Sequence, residues 1–284
     1  MTIATDLPET YRHSRDAKTD EPAQALARRR QLPISLVSLL TVVGLVLIWA
    51  VAASAELVSP VFLPSPAVVA ISLWNLVIVG FVDSTLPEHV LASLGRVLGG
   101  LAVSVLFGVP AGLAIGTSRI GRGILDPIVE FLRPLPPLAY LPLIIIWFGI
   151  GEASKVAVIA LSMLPSIIIS TAAGVRSVPK DHINAARAFG ATKRQVTLHV
   201  ILPSALPSIL TGIRIALGTG WSTLVAAELV AATRGLGFMI QSAAQFLVTD
   251  VVIAGIAVIA LIAILLEFAA RAFERWLAPW ASAK

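Results

Sequence analysis

An all-α membrane protein with about six transmembrane helices is the fold class this sequence predicts, and three observations predict it. Only 13% of the 284 residues are charged against 57% hydrophobic, whereas soluble domains carry about a quarter charged residues. Six segments have the roughly 20 apolar residues needed to cross a hydrocarbon core: 36–55, 97–115, 125–148, 156–173, 206–230 and 251–270. The basic residues then alternate sides as the positive-inside rule demands. All but five of the 21 Lys and Arg fall on one set of connections and tails. Lys155 and Arg234 lie on the opposite side, and Arg96, Arg133 and Arg214 lie at or within spans. The long connection 56–93 holds no Lys or Arg. Both termini are therefore expected in the cytoplasm.

Mean hydropathy of +0.91 agrees with a chain covered by lipid. The pI of 10.1 does not signal nucleic acid, because the cations form no single patch. With no cysteine, disulfides and thiolate metal sites are excluded. His13, His89, His182 and His199 are scattered in segments read as non-spanning and make no ligand cluster.

Residues 1–32 read as a cytoplasmic polar tail, and 33–284 as a single transmembrane domain. Arg28, Arg29 and Arg30 before an apolar run imitate a secretory signal, but the run is too long and five spans follow, so the first helix is retained. Residues 64–81 are apolar but short, and read as an interfacial or re-entrant piece. In the second span Gly108, Gly112 and Gly116 recur at four-residue spacing, which lets helix backbones approach closely, within the chain or at a subunit interface. Pro127, Pro134, Pro136, Pro137 and Pro142 break the third span. Such backbone is tolerated at membrane depth only when protein or a cavity covers it.

Ionisable residues inside spans cost about 2.5–3.5 kcal/mol each on insertion scales. Glu130 and Arg133 are spaced to pair on one helix face, while Arg214 and Glu267 are read as snorkelling to headgroups. Each of these charges reads first as a structural salt bridge or a snorkelled group, and the sharper reading, lining a translocation path, fits Arg133 and Glu228 best. Pro136, Pro137 and Trp221 complete that candidate path.

Between about 178 and 203 a polar, basic segment interrupts the apolar pattern. Pro179 and Asp181 suit a helix first turn. Ile183, Ala186 and Phe189 fall on one face, with Asn184 and Arg187 opposite. Gly190 suits a left-handed cap, and Thr192 with Gln195 matches a capping box that starts a second helix. Pro203 and Pro207 are expected to interrupt the chain before the next span. Such an amphipathic hairpin can insert into a groove on another protein.

The spacing of Ala185 and Ala186, Gly190, Val200, and Leu202 with Pro203 resembles the coupling-loop signature of binding-protein-dependent ABC importer permeases. Asn184 stands where that family usually has Glu. Stretches 122–155 and 220–243 resemble the nitrate/sulfonate/taurine branch, and the likeness runs over roughly residues 57–280. The resemblance implies a type I ABC importer permease architecture in the bacterial inner membrane. It implies a homodimer with the path between two permeases. A pair of ATPase subunits would hold ATP and Mg, none being held by this chain, and a periplasmic protein would deliver taurine or a related alkanesulfonate. Asn184, Ala185, Ala186, Arg187, Gly190, Val200, Leu202 and Pro203 would couple to the ATPase. The alternatives are an ion-coupled secondary transporter, or a permease for another small anion such as nitrate. An intramembrane enzyme is disfavoured, since no catalytic motif lies within a span.

Overall fold

The structure, a computed structural model, describes residues 33–281. The tail at 1–32 lies outside the described residues. The chain divides into two compact units between Val58 and Ser59.

The first unit contains α1 (Ile34–Ser54), 21 residues long. Leu39, Leu45, Ile48 and Val51 all stand exposed around it. A helix apolar on every side, about 30 Å long at 1.5 Å per residue, has lipid as its solvent.

The second unit is helical throughout. It comprises α2 (Pro66–Ile78), α3 (Leu86–Thr117), α4 (Arg119–Leu132), α5 (Pro137–Phe148), α6 (Glu152–Arg176), α7 (Lys180–Ala188), α8 (Lys193–Val196), α9 (Leu202–Ala231), α10 (Leu236–Gln245) and α11 (Thr249–Leu277). The pairs α3–α6 and α6–α9 form its centre. Ile159, Met163 and Ile167 of α6 are fully buried there, with Leu224 of α9.

The glycine spacing of α3 serves this packing. A Cβ on Gly112 would lie 2.5 Å from the Thr171 Cβ, and one on Gly116 would lie 2.5 Å from the Val175 Cβ. Both partners belong to α6, so the small residues seat one helix of the chain against another. At its start, α3 is fixed by Glu88, whose Oε2 accepts from the Thr85 N–H at 2.7 Å. The helix begins well before the predicted span and takes in His89, which is fully buried. The reading of that histidine as non-spanning is corrected accordingly.

The predicted third span is two helices, α4 and α5, bent by 107°. Arg133 closes α4 and Pro136 precedes α5, so the backbone turns where Pro134 and Pro136 withhold donors. Val129, near the far end of α4, still packs with Ile115 in the last turn of α3. Helix α4 thus crosses the end of α3 instead of running back along it. Among the described residues no ion pair joins Glu130 to Arg133, and both are exposed.

The segment read as interfacial or re-entrant holds α2, whose 13 residues rise about 20 Å and stop short of a crossing. Its Ser72 hydroxyl donates to Asp250 of α11. Arg214 and Glu267 do not snorkel separately. The Arg214 guanidinium meets Glu274 at 3.1 Å and Glu267 at 3.8 Å, and Arg271 meets Glu267 at 2.8 Å. Arg214 on α9 meets its two partners on α11 about 50 to 60 positions away, beyond any local spacing rule, whereas Arg271 and Glu267 are an i,i+4 pair within α11.

Candidate functional site

The polar hairpin folds as two arms. Pro179 leads α7 with extended backbone and Asp181 occupies its first turn. Ile183 and Ala186 pack on a cluster of Val175, Val178, Val196, Ile201, Ala205 and Ile209. The expected apolar face splits, however, because Phe189 is 93% exposed. It is the residue that closes α7, so the helical periodicity that would turn it inward no longer applies. Gly190 follows at φ +79°, the left-handed conformation that glycine enters freely. Asn184, Ala185 and Arg187 are exposed on the same elbow.

The second arm starts as expected. The Thr192 hydroxyl accepts from the Gln195 N–H, and Gln195 Oε1 accepts from the Thr192 N–H at 2.9 Å. One turn later the chain widens into a π turn, Thr197–Ile201, and passes straight into α9. Pro203 and Pro207 therefore do not interrupt it. The wider turn lets the ladder shift past a proline that has no N–H to give. Val200 and Leu202 are half-buried here, and Pro203 is exposed.

At the other end of α9 lies a buried charge cluster. Glu228 is 0% exposed and Arg96 4%. Arg96 Nη1 donates to Glu228 Oε1 at 2.6 Å and to the Arg234 carbonyl at 2.7 Å. Its Nε and Nη2 form a bidentate pair with Glu152 at 2.6 and 2.8 Å. The Ser93 hydroxyl donates to Glu228 at 2.8 Å and accepts from the Leu236 N–H at 2.9 Å. Gly237 N–H donates to Glu228 Oε2 at 2.8 Å. His89 Nδ1 accepts from the Gly235 N–H at 3.0 Å, leaving Nε2 to donate to the Phe81 carbonyl at 3.1 Å. Lys155, assigned to an outer connection from sequence, is 3% exposed and held by Glu152 at 2.9 Å.

Every polar atom of the Arg96–Glu228 pair is thus satisfied, which is the condition for keeping charges out of water. Gly235, at φ +131°, is pressed against the Glu228 carboxylate, where a side chain has no room.

The five candidate path residues do not form one cluster. Arg133 and Pro136 are exposed and Pro137 half-buried at the α4–α5 bend, whereas Trp221 and Glu228 are enclosed on α9. The Trp221 Nε1 finds no hydrogen-bond partner. Sequence reasoning singled out Glu228 but missed Ser93, His89 and Gly235. Arg96, a lone cation at the edge of an apolar run, was the available signal.

Residues 104–280 match the family described as binding-protein-dependent transport system inner membrane component. The taurine transport system permease protein TauC of Escherichia coli K12 is 54% identical over 269 residues, covering 94% of this chain and 95% of the relative. A putative aliphatic sulfonates transport permease protein, SsuC of the same organism, is 39% identical over 84% of this chain and 89% of its own length. The fold is also that of a chain from inward-facing conformations of the MetNI methionine ABC transporter, with a TM-score of 0.61, 22% identity, and coverage of 68% of this chain and 95% of that one. With its multiple apolar spans and its polar elbow, this chain belongs to the binding-protein-dependent inner-membrane permeases of ABC transporters.

Proposed function

We propose that this permease is the membrane subunit of an ATP-driven importer of taurine or a related alkanesulfonate. The observation that carries the substrate class is the near full-length identity to a taurine permease, reinforced by the sulfonate permease behind it. Family membership also supports an ATPase and a substrate-binding protein as partners, and disfavours ion-coupled transport.

The hairpin is the contact for the ATPase. Its elbow offers an exposed Phe189, small exposed Ala185 and a glycine turn, while Ile183 and Ala186 bolt it to the ends of α6 and α9. Two copies of the chain form the path between them, with both termini and the elbow in the cytoplasm. ATP and Mg bind the partner ATPases. Nucleotide favours one arrangement of the pair, and the differential contact at the elbow transfers that preference to the spans. Asn184 in place of the family's usual Glu leaves an uncharged side chain on the exposed face. Docking at this elbow then rests on shape and apolar contact more than on a carboxylate.

The test is reconstitution of permease, ATPase and binding protein in vesicles, with radiolabelled taurine outside and ATP inside. Uptake that needs ATP, persists without a proton gradient and is competed by alkanesulfonates is expected. Uptake driven by an ion gradient without ATP overturns the reading.

A further inference from the structure

The hairpin end of the second unit holds a cleft of about 690 Å³ between the α3–α4 turn and the two hairpin arms. Arg119, Arg187 and Lys193 line it, with the hydroxyl residues Thr117, Ser118 and Thr197. No Asp or Glu is among its lining residues. Among the described residues none of the three cations joins an ion pair.

Their placement adds to the imbalance. Arg119 opens α4 and Lys193 opens α8, and neither helix has an acidic residue in its first turn. Helix starts carry partial positive charge and ordinarily attract carboxylates. Here like charges converge instead, in a concave site; the Thr117 and Thr197 hydroxyls donate to the Leu113 and Lys193 carbonyls, and the Ser118 hydroxyl accepts from the Gly121 N–H with its own proton left to give. That arrangement lacks an anion.

The surroundings indicate which one. On α4, Ile120, Ile124, Ile128 and Phe131 fall on one face and are 75%, 61%, 52% and 68% exposed. Arg119, Arg122, Asp126 and Glu130 fall on another face. Because α4 crosses the end of α3, this amphipathic helix has the disposition of one lying at a membrane surface, apolar side toward acyl chains. A cation-lined cleft beside such a helix is placed to meet lipid headgroups. A protein partner has a different feature to grip, the protruding Phe189, which does not line this cleft; Arg187 borders both, whereas Arg119 and Lys193 belong to the cleft.

We propose that the Arg119–Arg187–Lys193 cleft binds a phosphate-type oxyanion, supplied by the headgroup of an anionic phospholipid. The site is independent of the substrate the transporter carries.

Native mass spectrometry of the purified full-length permease tests it, with dioleoylphosphatidylglycerol, dioleoylphosphatidylcholine and sodium phosphate as separate probes. Phosphatidylglycerol is expected to be retained over phosphatidylcholine. The double variant Arg119→Gln/Lys193→Gln removes two cations and lowers that retention about thirtyfold, while Arg119→Lys keeps most of it. Retention of inorganic phosphate with equal sensitivity to the double variant keeps the oxyanion site but makes its source a soluble ion. Equal retention of both lipids with no phosphate bound overturns the proposal. So does undiminished phosphatidylglycerol retention by a folded double variant, including the case in which only its hold on the ATPase is lost.

Discussion

The two ends of α9 solve opposite problems. At one end Glu228 and Arg96 are enclosed, and each of their side-chain nitrogens and oxygens is bonded to the other, to Ser93, Glu152, Gly237 or the Arg234 carbonyl. At the other end Phe189 is almost fully exposed, Asn184 and Arg187 face outward, and a glycine turn leaves the elbow open. A closed polar network holds elements of one chain in a single arrangement. An open, apolar-tipped elbow leaves its contacts free for another chain. Stability is therefore concentrated at the first end, and the partner recognition proposed above belongs to the second.

That contrast is tested most severely by Glu228→Ala. It takes the buried carboxylate from Arg96 Nη1 and leaves the guanidinium to the exposed Glu152 and the Arg234 carbonyl; removing one member of a buried pair costs up to about 3–5 kcal/mol. Thermal unfolding of the purified permease should drop sharply, and Arg96→Leu/Glu228→Leu should recover much of the loss. A single variant as stable as the parent would show that the enclosed charges hold nothing. Gly235→Ala comes next, because it forces a side chain into left-handed backbone against the Glu228 carboxylate; strain of about 1–3 kcal/mol is expected, read by the same melt. Gly112→Leu overfills the α3–α6 seam for about 1–3 kcal/mol, and it should act on folding without selectively affecting ATPase retention.

At the open end the order of effects reverses. Gly190→Val meets no neighbour, since the space around Gly190 is empty. It carries only the left-handed backbone cost of about 1–2 kcal/mol, yet uptake should be abolished. Phe189→Ala should change stability by less than about 0.5 kcal/mol and still weaken co-purification of the ATPase. If Phe189→Ala melts the permease and leaves ATPase retention intact, the assignment of the two ends is inverted.

The local features were the legible ones. The spans follow from composition and run length, the Thr192–Gln195 box from spacing, and the Gly190 turn from the one residue that takes positive φ readily. Phe189 was misplaced because periodicity was carried one residue past the end of α7. The passage of the chain through Pro203 and Pro207 was misread because a π turn has no sequence signature comparable to a cap. The charge cluster was half visible. Glu228 stands out as an acid in an apolar run, but its partner Arg96 lies 132 positions away, a pairing that only the packing of α3 against α9 and α10 creates. The three-cation cleft was hidden for the same reason, its members coming from α4, α7 and α8.

One continuous helical rod joins the two ends. From Lys193 to Val230 it runs 38 residues, about 57 Å at 1.5 Å per residue. The elbow is mounted on one extremity and the Glu228 carboxylate on the other. Twisting the rod at the elbow must therefore either carry Glu228 with it, shearing its grip on Arg96 and Ser93, or be taken up at Thr197–Ile201, the one stretch where the winding is already loosened. With the ATPase docked at the elbow as proposed, stiffening that joint would make the lever more direct, and slackening it would dissipate the stroke.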